Sequence, residues 1–164
     1  MGETNPKKSP AIGIDQEIPG REPLHIRHLV LDFNGTLAED GQVAASTARR
    51  LAQVAERFHA LIATADTYGT VTSFAERLGM ECHVIRATRD KEALVRSLPG
   101  GVAAIGNGAN DRAMLEAADL AIAVIGPEGA ALGAVLAANI VVRHIDDGLD
   151  LLLYPSRLVA TLRE

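Results

Sequence analysis

His28-Leu29-Val30-Leu31-Asp32-Phe33-Asn34-Gly35-Thr36-Leu37 is the stretch that decides the fold. An apolar run ends on a carboxylate, and a glycine-containing turn follows at once. A short continuous run of this kind, without alternation, reads as a strand buried on both faces. Asp32 then stands at the carboxyl edge of a sheet, beside a turn whose amides can point inward.

Upstream, the runs Ala11 to Glu17 and Leu24 to Phe33 flank Ile18-Pro19-Gly20. Proline presets φ and glycine accepts positive φ, so a β-hairpin is predicted, with its second arm running into the buried strand. Residues 1–10 are polar, with two prolines and two lysines, and read as a mobile tail. Residues 11–164 are left as a single domain.

Downstream, helix and strand signals alternate. Ser46 to Phe58 has apolar residues at helical spacing (Leu51, Val54, Ala55, Phe58), with Ser46 or Thr47 as its cap. Ala60 to Thr64 is a strand, and Thr67 to Leu78 a helix stopped by Gly79. Cys82 to Ile85 is a strand, and Arg89 to Leu98 a helix closed by Pro99-Gly100-Gly101. Strand Val102 to Ile105, helix Asp111 to Ala118 and strand Leu120 to Ile125 follow. Helix Ala130 to Ala137, strand Ile140 to Val142 and helical turns from Asp146 complete the chain. Such alternation predicts an α/β, three-layer α/β/α sandwich around a Rossmann-like parallel sheet. Right-handed crossovers put every strand's carboxyl end on one edge, where ligands of such sheets bind. Asp32 to Thr36, Thr64 to Asp66 and Gly106 to Asp111 would meet there.

Composition narrows the function. The chain has 164 residues, 48% of them hydrophobic but only 3% aromatic, so alanine and branched aliphatics must fill the core. The net charge is −5, with no basic excess, which argues against nucleic-acid binding. The apolar stretch Leu120 to Val142 is broken by Gly126-Pro127-Glu128-Gly129, and neither half reaches the roughly 18–20 residues of a membrane span. With no secretory signal and one cysteine, the chain reads as soluble and cytoplasmic, without a membrane partner.

The loops carry recognisable chemistry. Asp32 could act as a nucleophile, ligate a hard cation, or merely cap a turn. Thr64 offers a hydroxyl. The loop from Gly106 precedes a helix and offers amides favourable to anions, although Asn-Gly is also an ordinary turn. Lys91 lies in the first turn of a helix, where the dipole disfavours a cation, and its plain alternative is a solvated lysine. Cys82 reads as a small core residue. The five histidines show no metal spacing, and Asp146-Asp147 reads as a helix cap.

Together these segments resemble the haloacid dehalogenase superfamily, and within it the phosphorylation domain of P-type ATPases. Asp32-Phe33-Asn34-Gly35-Thr36-Leu37 resembles the Asp-x-x-Gly-Thr-Leu phosphorylation motif. Thr64-Ala65-Asp66, with Thr70, Ala75 and Leu78-Gly79, is similar to the pumps' Thr-Gly-Asp segment, and Asp90-Lys91 to their Asp-Lys pair. Gly106-Asn107-Gly108-Ala109-Asn110-Asp111 and the strand after it resemble their Gly-Asp-Gly-x-Asn-Asp stretch. The likeness spans about residues 28–143, in the right order.

The resemblance implies that Asp32 attacks a phosphoryl group to form an aspartyl phosphate. It implies Mg²⁺ held by Asp32, the Asn34 carbonyl, Asn107 and Asp111, with Asp111 acting directly or through water. Thr64 and Lys91 would contact phosphoryl oxygens, helped by Gly35 and Thr36, while Asp66 and Asn110 support the loops. No nucleotide-binding domain separates the first two motifs, which excludes pumping, and no cap domain separates the second from the third. The open site is expected to take a phosphorylated small molecule or a protein-borne phosphate, and leaves room for a homo-oligomer that covers it.

Two departures weaken the chemistry. Asn34 stands where hydrolytic members carry an acid–base aspartate, and an amide cannot exchange the proton, a loss on the order of 10²–10⁴-fold. Asn107 stands where a metal-binding aspartate is common, and brings no charge to the cation. The expectation is a slow Mg²⁺-dependent phosphatase or phosphotransferase. The alternative is a catalytically weak or inactive phosphate- or partner-binding module on the same scaffold. Both asparagines precede glycine, a pairing prone to deamidation.

Overall fold

A computed structural model describes residues 13–65 and 70–164. The expected tail and Asp66 lie outside the described residues. The chain first forms a small hairpin, β1 (Ile14–Gln16) against β2 (Leu24–Ile26), with Ile14 opposite Ile26. It then enters the main sheet through β3 (His28–Asp32). The elements that follow are α1 (Ala45–Arg57), β4 (His59–Thr64), α2 (Thr70–Arg77), β5 (Glu81–Val84), α3 (Thr88–Ser97) and β6 (Val102–Gly106). A 3₁₀ turn (Ala109–Asp111), α4 (Arg112–Ala117), β7 (Leu120–Val124), α5 (Leu132–Ala137), β8 (Ile140–Val142), α6 (Ile145–Leu153) and α7 (Pro155–Leu162) complete it.

The main sheet has six parallel strands in the order β5-β4-β3-β6-β7-β8. The chain winds outward from β3 to β5 and then returns to β6 on the other side. The strand order therefore reverses between β3 and β6, the place where sheets of this kind open a crevice at their carboxyl ends. Asp32 and Gly106 end those two strands.

Alternate residues of each strand feed two cores. Leu29, Leu31, Ile62, Ile105 and Ile122 face α1, α2, α6, α7 and the hairpin. Val30, Leu61, Ala63, Ala104 and Ala121 face α3, α4 and α5. Alanine on the second face keeps that layer thin, so that α3 can carry a lysine side chain to the sheet edge. This is how an almost aromatic-free sequence closes two cores.

Several local expectations change. The second arm of the hairpin leads into the sheet strand as expected but with a break at Arg27, between β2 and β3, whose guanidinium bonds Asp15 and the Ile14 carbonyl. Neither Ser46 nor Thr47 caps α1, whose N-cap is Ala44. Both hydroxyls instead reach Asp146 on α6, joined by Arg50, at 2.7, 2.5 and 3.3 Å. Asp146 is thus spent on locking α1 to α6, and His144 caps α6 by accepting the Asp146 N–H at 3.0 Å. Cys82 is half-buried in the edge strand β5, not a full core residue. Gly79 has a φ of +70°, as a residue that ends α2 requires.

His28 and His59 are cross-strand neighbours at the opposite edge of the sheet, with ring centroids 5.1 Å apart. His28 Nδ1 is buried without a hydrogen-bond partner. Burial, and then the neighbouring His59, pull the His28 imidazole below its ordinary value near 6.5, against a backbone bond to Pro99. The unfolded chain therefore binds the proton more readily, and His28 should cost stability as pH falls below about 6.5. His28→Leu is expected to flatten that acid limb relative to wild type, measured as urea midpoints from neutral pH down to about 5.

Candidate active site

β3 delivers Asp32 to the crevice, and the 33–38 turn folds over it. The amides of Thr36, Leu37 and Ala38 all donate to the Phe33 carbonyl, and the Gly35 amide donates to Ala38. These amides are consumed inside the turn, against the expectation that Gly35 and Thr36 present them to a ligand. What the turn offers the site is the Thr36 hydroxyl, 3.1 Å from Asp32 Oδ2 and 3.2 Å from Asn107 Oδ1. Gly35 has a φ of +76°, and a Cβ there would lie 2.6 Å from Asn107 Nδ2, so the turn needs glycine for both conformation and space.

Lys91 enters from α3, where Asp90 accepts the Ala87 amide at 2.9 Å and fixes the start of the helix. Its ammonium donates to Asp32 Oδ1 at 2.7 Å and to Asp111 Oδ1 at 2.6 Å. Lys91 is 3% exposed, so it is no solvated surface lysine. Asp111 is fully buried, and its Oδ2 accepts the amides of Asn107 and Gly108 at 3.0 and 2.9 Å. Gly106 makes room for it, since a Cβ there would stand 2.7 Å from Asp111 Cγ.

Two carboxylates and one ammonium leave the buried group with a net negative charge. Burial, and then repulsion from Asp111, push Asp32 up to about 6, although Lys91 and Thr36 oppose the shift. Burial alone would pull the Lys91 ammonium down, but the charges of Asp32 and Asp111 outweigh it and hold it above its ordinary value.

Thr64 is buried at the end of β4, one residue past the Ala63 that pairs with Asp32. The structure thus brings Asp32, Gly35, Thr36, Lys91, Asn107 and Asp111 together, with Thr64 at the next strand end. Asn34 is exposed at the mouth, and Asn110 is exposed within the 3₁₀ turn. Asp66 is outside the described residues.

A contact that sequence reading missed is made by Asn107. Its Nδ2 donates to the Gly129 carbonyl at 3.1 Å, and its own carbonyl accepts the Ala131 amide at 2.8 Å. The amide therefore fastens the loop after β7 to the crevice, which a carboxylate could not do toward a carbonyl. The break Gly126-Pro127-Glu128-Gly129 marked that loop in the sequence, but not its partner.

The donors can be tested for a hard cation. Asp32 Oδ2 and Asn107 Oδ1 share one Thr36 hydroxyl, which has a single proton to give, so one of these oxygens is always short of a donor. An oxygen pair of this kind fits a cation such as Mg²⁺. It brings one carboxylate, because Asp111 is committed to Lys91 and two amides. Among the described residues no cluster of three or more His, Cys, Asp and Glu side chains is arranged to hold a metal.

The chain has the fold of the haloacid dehalogenase superfamily. A 3-deoxy-D-manno-octulosonate 8-phosphate phosphatase from Moraxella catarrhalis, solved with magnesium, phosphate and KDO, superposes with a TM-score of 0.67 at 18% identity, over 84% of this chain and 94% of that one. A protein of Streptomyces avermitilis described as a HAD-family hydrolase gives 0.65 at 21% identity, over 80% and 87%. The phosphorylation-domain likeness also holds: a zinc-transporting PIB-type ATPase gives 0.60 at 23% identity, over 73% of this chain and 20% of the pump. In sequence, the chain belongs to the same family as an uncharacterised protein of Methanocaldococcus jannaschii. The two are 54% identical over 63 residues, 38% of this chain and 68% of that protein. No protein-family model matches the chain. Among the described residues no helix is long and apolar enough to cross a membrane.

The charge balance predicts opposite effects of two substitutions in metal-free protein at neutral pH. Asp32→Asn leaves a neutral Lys91–Asp111 pair and should stabilise by about 1–3 kcal/mol, since an ionised Asp32 loses stability as pH rises from 3.8 through about 6. Lys91→Met leaves two buried carboxylates facing each other and should cost about 3–5 kcal/mol. Urea unfolding with an unchanged m value measures both; equal destabilisation by the two would contradict the account.

Proposed function

We propose that the protein is a slow, Mg²⁺-dependent phosphohydrolase or phosphotransferase that works through an aspartyl phosphate on Asp32. The observation that carries this reading is the buried Asp32–Lys91–Asp111 group at the strand-order reversal. The group stands at the ligand edge of the sheet, and Asp32 is the most exposed of its three members.

In the proposed reaction an Asp32 oxygen bonds to phosphorus as the bond to the leaving oxygen breaks. Lys91, anchored by Asp111, offsets charge on the transferring group, and Thr36 and Thr64 are the hydroxyls that would donate to its oxygens. The leaving oxygen takes its proton from solvent, because Asn34 has none to give. Water then attacks phosphorus, releases phosphate and restores Asp32. Mg²⁺, held by Asp32, the Asn34 carbonyl and Asn107, would supply the positive charge that lets an anionic phosphoryl group approach a carboxylate. Asp111 would act on that ion at one remove.

Among the described residues only α2 and β5 separate β4 from α3, and none of them forms a cap over the site. That openness supports a phosphorylated small molecule or a protein-borne phosphate as substrate, and the net charge of −5 supports a partner other than nucleic acid. A homo-oligomer in which a neighbouring subunit covers the opening is compatible with it.

The test is hydrolysis of p-nitrophenyl phosphate and acetyl phosphate with and without Mg²⁺. Wild type should turn over slowly, and Asp32→Asn not at all. Asn34→Asp should be faster, on the order of 10²-fold in kcat where hydrolysis of the aspartyl phosphate limits turnover, because its carboxylate can take the proton of the attacking water. Mg²⁺ binding should weaken as pH drops through about 6, where Asp32 of the metal-free protein takes up a proton. No activity in wild type or Asn34→Asp, with the fold intact, would instead support a phosphate- or partner-binding module.

A further inference from the structure

We propose that Asn34 is a site of spontaneous deamidation that installs a carboxyl beside the nucleophile, while the fold protects the second Asn-Gly pair, Asn107-Gly108. The chain has these two Asn-Gly pairs, and both lie at the crevice. In this chemistry the glycine nitrogen bonds to the asparagine Cγ, the carboxamide C–N bond breaks, and the nitrogen leaves as ammonia with the proton given up by the backbone amide. Water then opens the resulting succinimide to aspartate or, through the other carbonyl, to isoaspartate. The sum is amide plus water giving carboxylate plus ammonium, with no other reactant. Glycine favours it because no Cβ obstructs the attack.

The two asparagines stand in opposite situations. Asn34 is exposed, and its carboxamide has no hydrogen bond among the described residues. Gly35, which must supply the attacking nitrogen, donates to the Ala38 carbonyl at 2.9 Å, a neutral bond inside a short turn. Opening that one bond frees both reacting groups. Asn107 is held on every side: Oδ1 by Thr36, Nδ2 by Gly129, its carbonyl by Ala131, with Gly35 packed against the carboxamide. Its partner Gly108 donates at 2.9 Å to Asp111, whose buried negative charge opposes loss of the amide proton. Charge-assisted bonds are about twice as strong as neutral ones, so the same reaction at Asn107 must break more and stronger contacts.

The aspartate product would place at position 34 the group that the proposed hydrolysis lacks. That consequence rests on the phosphohydrolase reading; the modification itself does not.

The experiment incubates the full chain, warm and at neutral pH, and follows tryptic peptides by mass. His28–Arg49 contains Asn34 as its sole asparagine, and Ser97–Arg112 contains Asn107. In folded protein the first should convert to the acid form faster than Asn107 in the second, by roughly tenfold or more. In urea the two should convert at comparable rates. An unconverted His28–Arg49 in folded protein, with conversion in urea, overturns the proposal, and so do equal rates in the fold. Asn34→Gln is the silent control. The aged samples are also assayed beside Asn34→Asp: turnover that rises with the converted fraction of Asn34, and not in Asn34→Gln, supports the catalytic consequence. Conversion at Asn34 with an inactive Asn34→Asp leaves the modification standing and removes the phosphohydrolase reading.

Discussion

The ammonium of Lys91, held between Asp32 and Asp111, is the interaction on which the arrangement of the crevice depends. It joins three segments that are far apart in sequence, the end of β3, the start of α3 and the turn before α4. Each would be unfavourable alone in so dry a place, since an unpaired buried charge costs several kcal/mol. Together they still carry one negative charge too many, and Asp32, the member nearest solvent, bears the cost as a raised pKa. A carboxylate that is expensive to keep ionised is better placed than an ordinary one to bond to an incoming phosphoryl group or to receive a cation. Stability and the proposed function pull apart at this residue.

Close packing around that group is enforced by what is missing from side chains. Gly35 and Gly106 let Asn107 and Asp111 approach the main chain at distances that no other residue would permit. Alanines on one face of the sheet let α3 bring Lys91 to the edge. The site is therefore specified as much by small residues as by charged ones.

Asn34 and Asn107, which look alike in the sequence as two weakened positions, differ in structure. Asn107 uses its amide: the NH₂ group fastens the loop after β7, so exchange for aspartate would gain a charge toward a cation and lose a tether. Asn34 uses its side chain for nothing among the described residues, so the same exchange there has no structural cost in view. Of the two asparagines the fold thus uses one side chain and leaves the other free among the described residues.

The sequence by itself determined the layers, the strand succession and which strand ends meet at one edge of the sheet. Apolar runs, helical spacing and turn residues are local signals, and Asp32, Thr64, Lys91 and Asp111 each follow or begin an element that such signals place. It did not determine where polar side chains would bond. Ser46, Thr47 and Asp146 have good local capping roles open to them, yet the packing of α1 on α6 brings them together and they bond one another instead. The amides of the 33–38 turn could face a ligand or the turn's own carbonyl, and only the folded turn shows that they choose the latter. Likewise the Asn107–Gly129 tether and the raised pKa of Asp32 exist only once separate loops share one crevice. Hydrogen bonds and charges are settled by distance in space, which tertiary structure alone supplies.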